Sequence, residues 1–139
     1  MQNCIFCKIV KDEIPCFKIF EDESILAFLD INPVTKGHCL VIPKTHFENI
    51  FDISEDALQK VSVATKHISV KIKNSLQADG IRISQSNGEE AGQVILHFHL
   101  HIIPRYKNDG VLMSETTTAH PPKADIEELK KIALRLRLG

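Results

Sequence analysis

The sequence predicts an α+β fold with a mainly antiparallel sheet, one long helix and a C-terminal helix. Three observations carry this: short apolar runs broken by turn residues, one long stretch of helical periodicity, and a second run of strands before a final helical stretch. At 139 residues the chain has the size of one domain, read as 1–139 with a core over about 3–110 and a loop and helix over 111–139.

Lys18 to Phe20 and Ile25 to Leu29 are strand-like, and Glu21-Asp22-Glu23-Ser24 between them reads as a hairpin turn. Asn32-Pro33 and Lys36-Gly37 mark a loop. His38-Cys39-Leu40-Val41-Ile42 then reads as a buried strand closed by Pro43. Ser54 followed by Glu55 and Asp56 is a helix start, with a capping hydroxyl and acids favourable to the dipole. Ala57, Val61, Ala64, Ile68 and Ile72 follow at helical spacing, so the helix extends to about Leu76. Gly80 to Ser86 alternates apolar and polar residues as a strand does. Asn87-Gly88-Glu89-Glu90-Ala91-Gly92 is a loop whose glycines permit unusual dihedrals. Val94 to Ile103 is strand-like and stops at Pro104. Tyr106 to Pro122 reads as irregular, a flap or a dimer contact. Asp125 with Glu128 resembles a capping box that opens a helix carrying Ile126, Leu129, Ala133 and Leu136.

Composition narrows the function. Seventeen Lys and Arg against eighteen Asp and Glu give a net charge of -1. With no dense basic run, duplex nucleic acid is not expected as a partner. The longest apolar run, Ile25 to Leu29, is far too short to cross a bilayer, so no membrane role is expected. Met1-Gln2-Asn3-Cys4 has no secretory character, and cysteines at 4, 7, 16 and 39 then imply a reducing, cytoplasmic setting.

His97-Phe98-His99-Leu100-His101 is the informative segment. On a strand the three imidazoles share one face at roughly 6–7 Å intervals, and Phe98, Leu100 and Ile102 share the other. Packing asks for one such ring at most. A row of three can hold a metal, or it can combine a nucleophile with a proton-handling neighbour. Neutral imidazole attacks phosphorus readily near neutral pH.

The pattern His-x-His-x-His-x-x with apolar x resembles the signature of the histidine triad (HIT) family. Asp30, Gly37-His38 before Leu40-Val41-Ile42-Pro43-Lys44, Asn87-Gly88, Ala91-Gly92-Gln93 and Ile103-Pro104-Arg105-Tyr106 resemble its other segments, covering most of residues 3 to 110. The bacterial Hint-like branch is the nearest likeness. The resemblance implies that His99 attacks the α-phosphorus of a nucleotide and forms a nucleotidyl-histidine that water hydrolyses. It further implies that His101 bonds phosphate oxygen and assists the leaving group, and that Gln93 sits near the leaving-group atoms. Asp30 would bind ribose, with His38 and Asn87 beside the nucleotide. One departure stands out: the family usually has Ser or Thr after Gln93, and this chain has Val94.

Cys4-Ile5-Phe6-Cys7 has zinc-knuckle spacing, a weak signal alone because such a pair also reads as a redox motif or two buried thiols. The redox reading needs a strand before it, for which residues 1–3 leave no room. Zinc needs two more ligands, for which His46 and His97 are candidates. Hint-like proteins with this N-terminal pair match the chain at all four positions, so the resemblance implies one structural zinc per chain on Cys4, Cys7, His46 and His97. It also implies a homodimer whose sheet runs across both protomers, a sensible arrangement for a small sheet with exposed edges.

The expected activity is hydrolysis of nucleoside phosphoramidates and related substituted nucleoside monophosphates, purine preferred, releasing AMP-type products. Dinucleoside polyphosphate hydrolysis, a hydrolase using zinc on His97, His99 and His101, and a non-catalytic nucleotide-binding module are the alternatives. Cys16, Cys39, His67 and His120 are read as ordinary structural or surface residues.

Overall fold

The computed structural model describes residues 3–112 and 123–137. Along the chain lie α1 (Ile5–Val10), β1 (Lys18–Glu21), β2 (Ile25–Leu29), β3 (Cys39–Pro43), α2 (Glu55–Leu76), β4 (Gly80–Ser84), β5 (Leu100–Arg105) and α3 (Ile126–Leu136). The five strands form one antiparallel sheet in the order β1-β2-β3-β5-β4, the α+β architecture that the sequence expects.

Strands β2 and β3 are buried at every position, because both faces of the sheet are covered. Ile25, Ala27, Leu29, Cys39 and Val41 join the cluster under α2 and α3, with Val61, Ala64, Ile68, Ile72, Leu129 and Ile132. Leu26, Phe28, Leu40 and Ile42 point the other way, to Phe6 and Ile9 of α1. Period-two alternation thus survives inside two runs that read as uniformly apolar.

The long helix starts where expected: Ser54 Oγ accepts the Ala57 N–H at 3.1 Å, and Gln77 closes the helix in the left-handed region at φ 55°. His67 on this helix is exposed, as expected. Asp125 precedes α3, but its side chain makes no capping bond, which corrects the capping-box expectation. That helix end is exposed, so water can satisfy its free N–H groups. Helix α1 has no signal in the sequence. Six residues are too few to show periodicity, and its start is capped by a thiol, Cys4 Sγ accepting the Cys7 N–H at 3.3 Å.

Several strand limits also need correction, and β3 runs Cys39–Pro43 rather than His38 to Ile42. Glu21 belongs to β1 rather than the hairpin turn, and β4 stops at Ser84 rather than Ser86. The strand expected over Val94 to Ile103 runs instead from Leu100 to Arg105. Upstream of Leu100 the backbone is committed elsewhere: the Phe98 N–H donates to the Phe47 carbonyl at 2.7 Å, and pairing with β3 ends at Val41↔Leu100. Pro104 does not end β5, because the last pairing with β3 is Cys39↔Ile102 and only β4 adjoins the strand beyond it.

Residues 106–112 form a turn around Asp109, whose carboxylate accepts from Arg105 Nε at 2.9 Å, from the Tyr106 N–H at 3.0 Å and from the Val111 N–H at 3.0 Å. The rest of the segment read as a flap or dimer contact, with His120, lies outside the described residues.

Candidate active site and metal centre

The apolar and imidazole rows separate as the residue alternation requires. Phe98, Leu100 and Ile102 face the cluster under α2. On the opposite side Phe6 of α1 meets the rings of His97 and His99 edge to face, with centroids 5.8 and 5.2 Å away. His99 and His101 are 5.1 Å apart by centroid, and His38 lies 5.3 Å from His101.

His99 Nδ1 is 2.7 Å from the His97 carbonyl oxygen. A carbonyl only accepts, so Nδ1 carries the proton and Nε2 of the neutral ring keeps its lone pair. Burial holds the His99 pKa below its usual value, against the opposing pull of the His97 carbonyl and Asp30. The ring is therefore neutral near pH 7, as a nitrogen nucleophile must be.

His101 is pushed down to about 3, chiefly by burial and then by the neighbouring His99 and His38. His38 is 4% exposed and burial lowers it to about 4. Its Nε2 lies 3.0 Å from His101 Nδ1 and 3.6 Å from Asp30 Oδ2. The Asp30 pKa is raised by burial, partly offset by the Asn32 N–H that bonds Oδ1 at 2.8 Å and by His99. Asp30 and His38 from the β2–β3 loop, His99 from the approach to β5 and His101 from β5 itself are thus brought together in one partly buried cluster.

Gln93 and Asn87 are placed differently. Gln93 is 5% exposed, and its amide is fully engaged: Nε2 donates to the carbonyls of Glu48 (2.7 Å) and Ile95 (3.0 Å), and Oε1 accepts from the Gly88 N–H (2.8 Å) and Asn49 Nδ2 (3.4 Å). Asn87 Oδ1 accepts the Ile50 N–H at 2.7 Å, and its amide pairs with that of Gln85. Both side chains bind the loop over 85–95 to the segment over 48–50. Val94 is 81% exposed beside them.

Sequence reasoning missed Phe6, because α1 was not visible, and Asn49, a lone polar residue without a motif.

Cys4, Cys7, His46 and His97 converge with their sulfur and ring-nitrogen atoms all within 4.8 Å of one another. Cys4 Sγ is 3.4 Å and Cys7 Sγ 3.6 Å from His97 Nδ1. Cys7 Sγ is 3.3 Å from His46 Nδ1, and the two Nδ1 atoms are 3.2 Å apart. Ligands around a tetrahedral zinc at bonds of about 2.0–2.3 Å stand about 3.3–3.8 Å from each other, so the set fits. His97, 0% exposed, supplies a further test of fit. Its Nε2–H donates to the Pro43 carbonyl at 2.8 Å, which leaves Nδ1 bare and aimed at the two sulfurs. Burial and the adjacent Cys4 sulfur push the Cys7 thiol up to about 11, so holding Cys7 as a thiolate takes a cation. No helix among the described residues is long and apolar enough to cross a membrane.

Comparison with known proteins agrees with this geometry. A family model described as the HIT domain matches residues 11–108. The chain is 49% identical over 110 residues to "Protein hit" of Bacillus subtilis, covering 78% of this chain and 76% of that one. It is 39% identical over 128 residues to adenylylsulfatase HINT3 of Arabidopsis thaliana, covering 91% of this chain and 65% of the relative. It is also 39% identical over 107 residues to adenosine 5′-monophosphoramidase HNT1 of Candida albicans, covering 74% and 70%. Among solved structures, a Hit-like protein of Bartonella henselae matches with a TM-score of 0.88 at 36% identity, covering 99% of this chain and 96% of that one. A Zn-bound histidine triad family protein of Mycobacterium smegmatis matches with a TM-score of 0.82 at 33% identity, covering 98% and 91%. With its triad, fold and sequence in agreement, the chain belongs to the HIT family, whose members include nucleotide hydrolases.

Proposed function

We propose that this protein hydrolyses nucleoside phosphoramidates and related substituted nucleoside monophosphates, purine preferred, through a nucleotidyl adduct on His99. The observation that carries the reading is the 2.7 Å bond from His99 Nδ1–H to the His97 carbonyl, which leaves Nε2 unprotonated beside His101. Relatives named adenylylsulfatase and adenosine 5′-monophosphoramidase support the substrate class.

In the first step His99 Nε2 bonds to the α-phosphorus as the bond to the leaving nitrogen breaks, and the departing amine takes up one proton from solvent. Charge on the phosphoryl oxygens is met by His101. In the second step water attacks phosphorus, the nucleoside monophosphate leaves, one proton returns to solvent, and His99 is restored. Asp30 holds the ribose hydroxyls, with His38 and Asn87 nearby. Gln93, placed by the family pattern near the leaving group, serves here through the loop it anchors.

Cys4, Cys7, His46 and His97 would hold one zinc per chain, and the Zn-bound Mycobacterium smegmatis neighbour supports this. When bound, the ion supplies a structural cross-link between α1, the segment after β3 and the histidine row. The assembly is a homodimer paired along β4, an outer strand of the sheet whose Ile83 is 50% exposed. Four free thiols accord with a reducing cytoplasm.

Intact-protein mass spectrometry after brief mixing with adenosine 5′-phosphoramidate, quenched without acid, tests the mechanism. An adenylyl mass on the wild type that vanishes in folded His99→Ala, together with lost AMP release, is the expected result. Undiminished turnover by His99→Ala would overturn it.

A further inference from the structure

Besides the Cys/His group, Asp30, His38 and His101 bring their ligand atoms within 4.8 Å of one another. Hydrogen-bond direction argues against a cation there. The Val34 backbone N–H donates to His38 Nδ1 at 3.0 Å. A backbone amide can only donate, so Nδ1 must present its lone pair, and a neutral His38 then carries its proton on Nε2. That nitrogen, the one nearest Asp30 and His101, is a donor and has no lone pair to give a metal.

The consequence passes to His101. His38 Nε2 is 3.0 Å from His101 Nδ1. Two facing nitrogens share one proton, and the Val34 amide has already assigned it to His38. His101 Nδ1 therefore accepts, and the neutral His101 ring carries its own proton on Nε2. Asp30 Oδ2 at 3.6 Å from His38 Nε2 is too far to compete as a hydrogen-bond acceptor, and the other charged-capable group facing the pair is His99. Burial keeps both rings neutral near pH 7, so this arrangement persists there.

The amide that starts the chain is held firmly. The Asp30 N–H donates to the His38 carbonyl at 2.9 Å, and the His38 N–H to the Thr35 carbonyl at 3.1 Å. Thr35 Oγ1 donates to the Pro104 carbonyl, and Tyr106 OH to the Lys36 carbonyl at 2.7 Å. Gly37 sits at φ +92°, where a Cβ would fall 2.5 Å from Leu76 Cδ1 and 3.3 Å from Pro104 Cγ. Only glycine lets the loop lie this close to the sheet.

We propose that His38 is a positioning residue: with the Val34 amide behind it, it fixes His101 in the Nε2–H form, making His101 a standing hydrogen-bond donor to the transferred phosphoryl group. Two adjacent rings thereby receive opposite polarity from the backbone. A carbonyl, that of His97, makes His99 Nε2 a bare nucleophile, and an amide, that of Val34, makes His101 Nε2 a donor. The donor is neutral, so its strength does not depend on picking up a proton from solvent. The use made of that donor rests on the phosphoramidate reading, whereas the tautomers themselves do not.

The test is nitrogen NMR of the histidine-labelled full-length protein, which distinguishes bare from protonated ring nitrogens, with signals assigned by single substitutions. The expected wild-type spectrum has His38 and His101 both bare at Nδ1 and protonated at Nε2. Finding the proton on Nδ1 of either ring, in a protein that needs no substitution to be measured, overturns the proposal whatever the activity. His38→Met removes the donor and should release His101 into a mixture of tautomers, with kcat on adenosine 5′-phosphoramidate falling on the order of 100-fold. His38→Gln can accept from Val34 and donate to His101, and should restore the single His101 tautomer and much of the lost rate. A single Nε2–H tautomer of His101 in His38→Met would also overturn it. Expected tautomers in a protein that forms no adduct would sustain the relay and refute the phosphoramidate reading instead.

Discussion

Acidification should cost this protein stability through His38, and the size of the effect follows from burial. The ring is 4% exposed and its pKa is depressed from 6.5 to about 4. Between those values the unfolded chain binds a proton that the native ring refuses. Stability is therefore full above 6.5, falls as the pH drops through the window, and levels off below about 4. The slope approaches about 1.4 kcal/mol per pH unit for one ring in mid-window and is shallower at each end, which integrates to about 2 kcal/mol from pH 6.5 to 4.5. His101, lowered to about 3, adds a second proton over a longer window, and His99 acts in the same direction. Asp30 has a raised pKa and so acts in the opposite sense. Acid would also release a zinc held by Cys4 and Cys7. Comparing wild type with His38→Gln cancels these shared contributions, because glutamine does not titrate, except for the minor part of the His101 depression that His38 itself causes. Urea unfolding followed by far-UV circular dichroism at pH 7.5, 6.5, 5.5 and 4.5 gives the difference in stability at each pH. The wild-type advantage should shrink by about 2 kcal/mol between pH 6.5 and 4.5, a sizeable share of the about 5–15 kcal/mol typical of a domain. A difference constant to within about 0.5 kcal/mol would show that the native ring already carries the proton, and would refute the reasoning.

Two further outcomes are expected. Cys7→Ala should abolish stoichiometric zinc measured by elemental analysis and lower stability by about 3–4 kcal/mol at zinc concentrations several hundred times the dissociation constant, while adduct formation on His99 persists in the protein that stays folded; full zinc occupancy in the variant would refute the four-ligand centre. Ile83→Lys places a charge on the half-exposed face of the outer strand β4 and should convert a dimer to a monomer in analytical ultracentrifugation. An unchanged dimer would place the interface elsewhere.

The sequence alone carried the fold class, the long helix and the split between the imidazole row and its apolar neighbours. Each is a matter of period. Ala57 to Ile72 repeat at helical spacing beneath a capping Ser54, and His97, His99 and His101 alternate with Phe98, Leu100 and Ile102. The split between faces survived even though His97 and His99 precede the strand itself, because their neighbours still bury on the α2 side. Position in the chain could not reveal helix α1, since six residues hold less than two turns and its stability comes from Phe6 and Ile9 against the sheet. Nor could it reveal that Gln93 and Asn87 spend their amides on the loop frame, a fact fixed by carbonyls and amides of residues 48–50, some forty positions away.

What the sequence determined, then, is which chemical groups exist and which face each takes, because side-chain direction follows from the local backbone period. What only the tertiary structure decided is which nitrogen of each ring is bare. The carbonyl of His97 and the amide of Val34 look the same in any sequence as every other peptide group. They set where a ring carries its proton only when the fold aims them at one particular ring nitrogen.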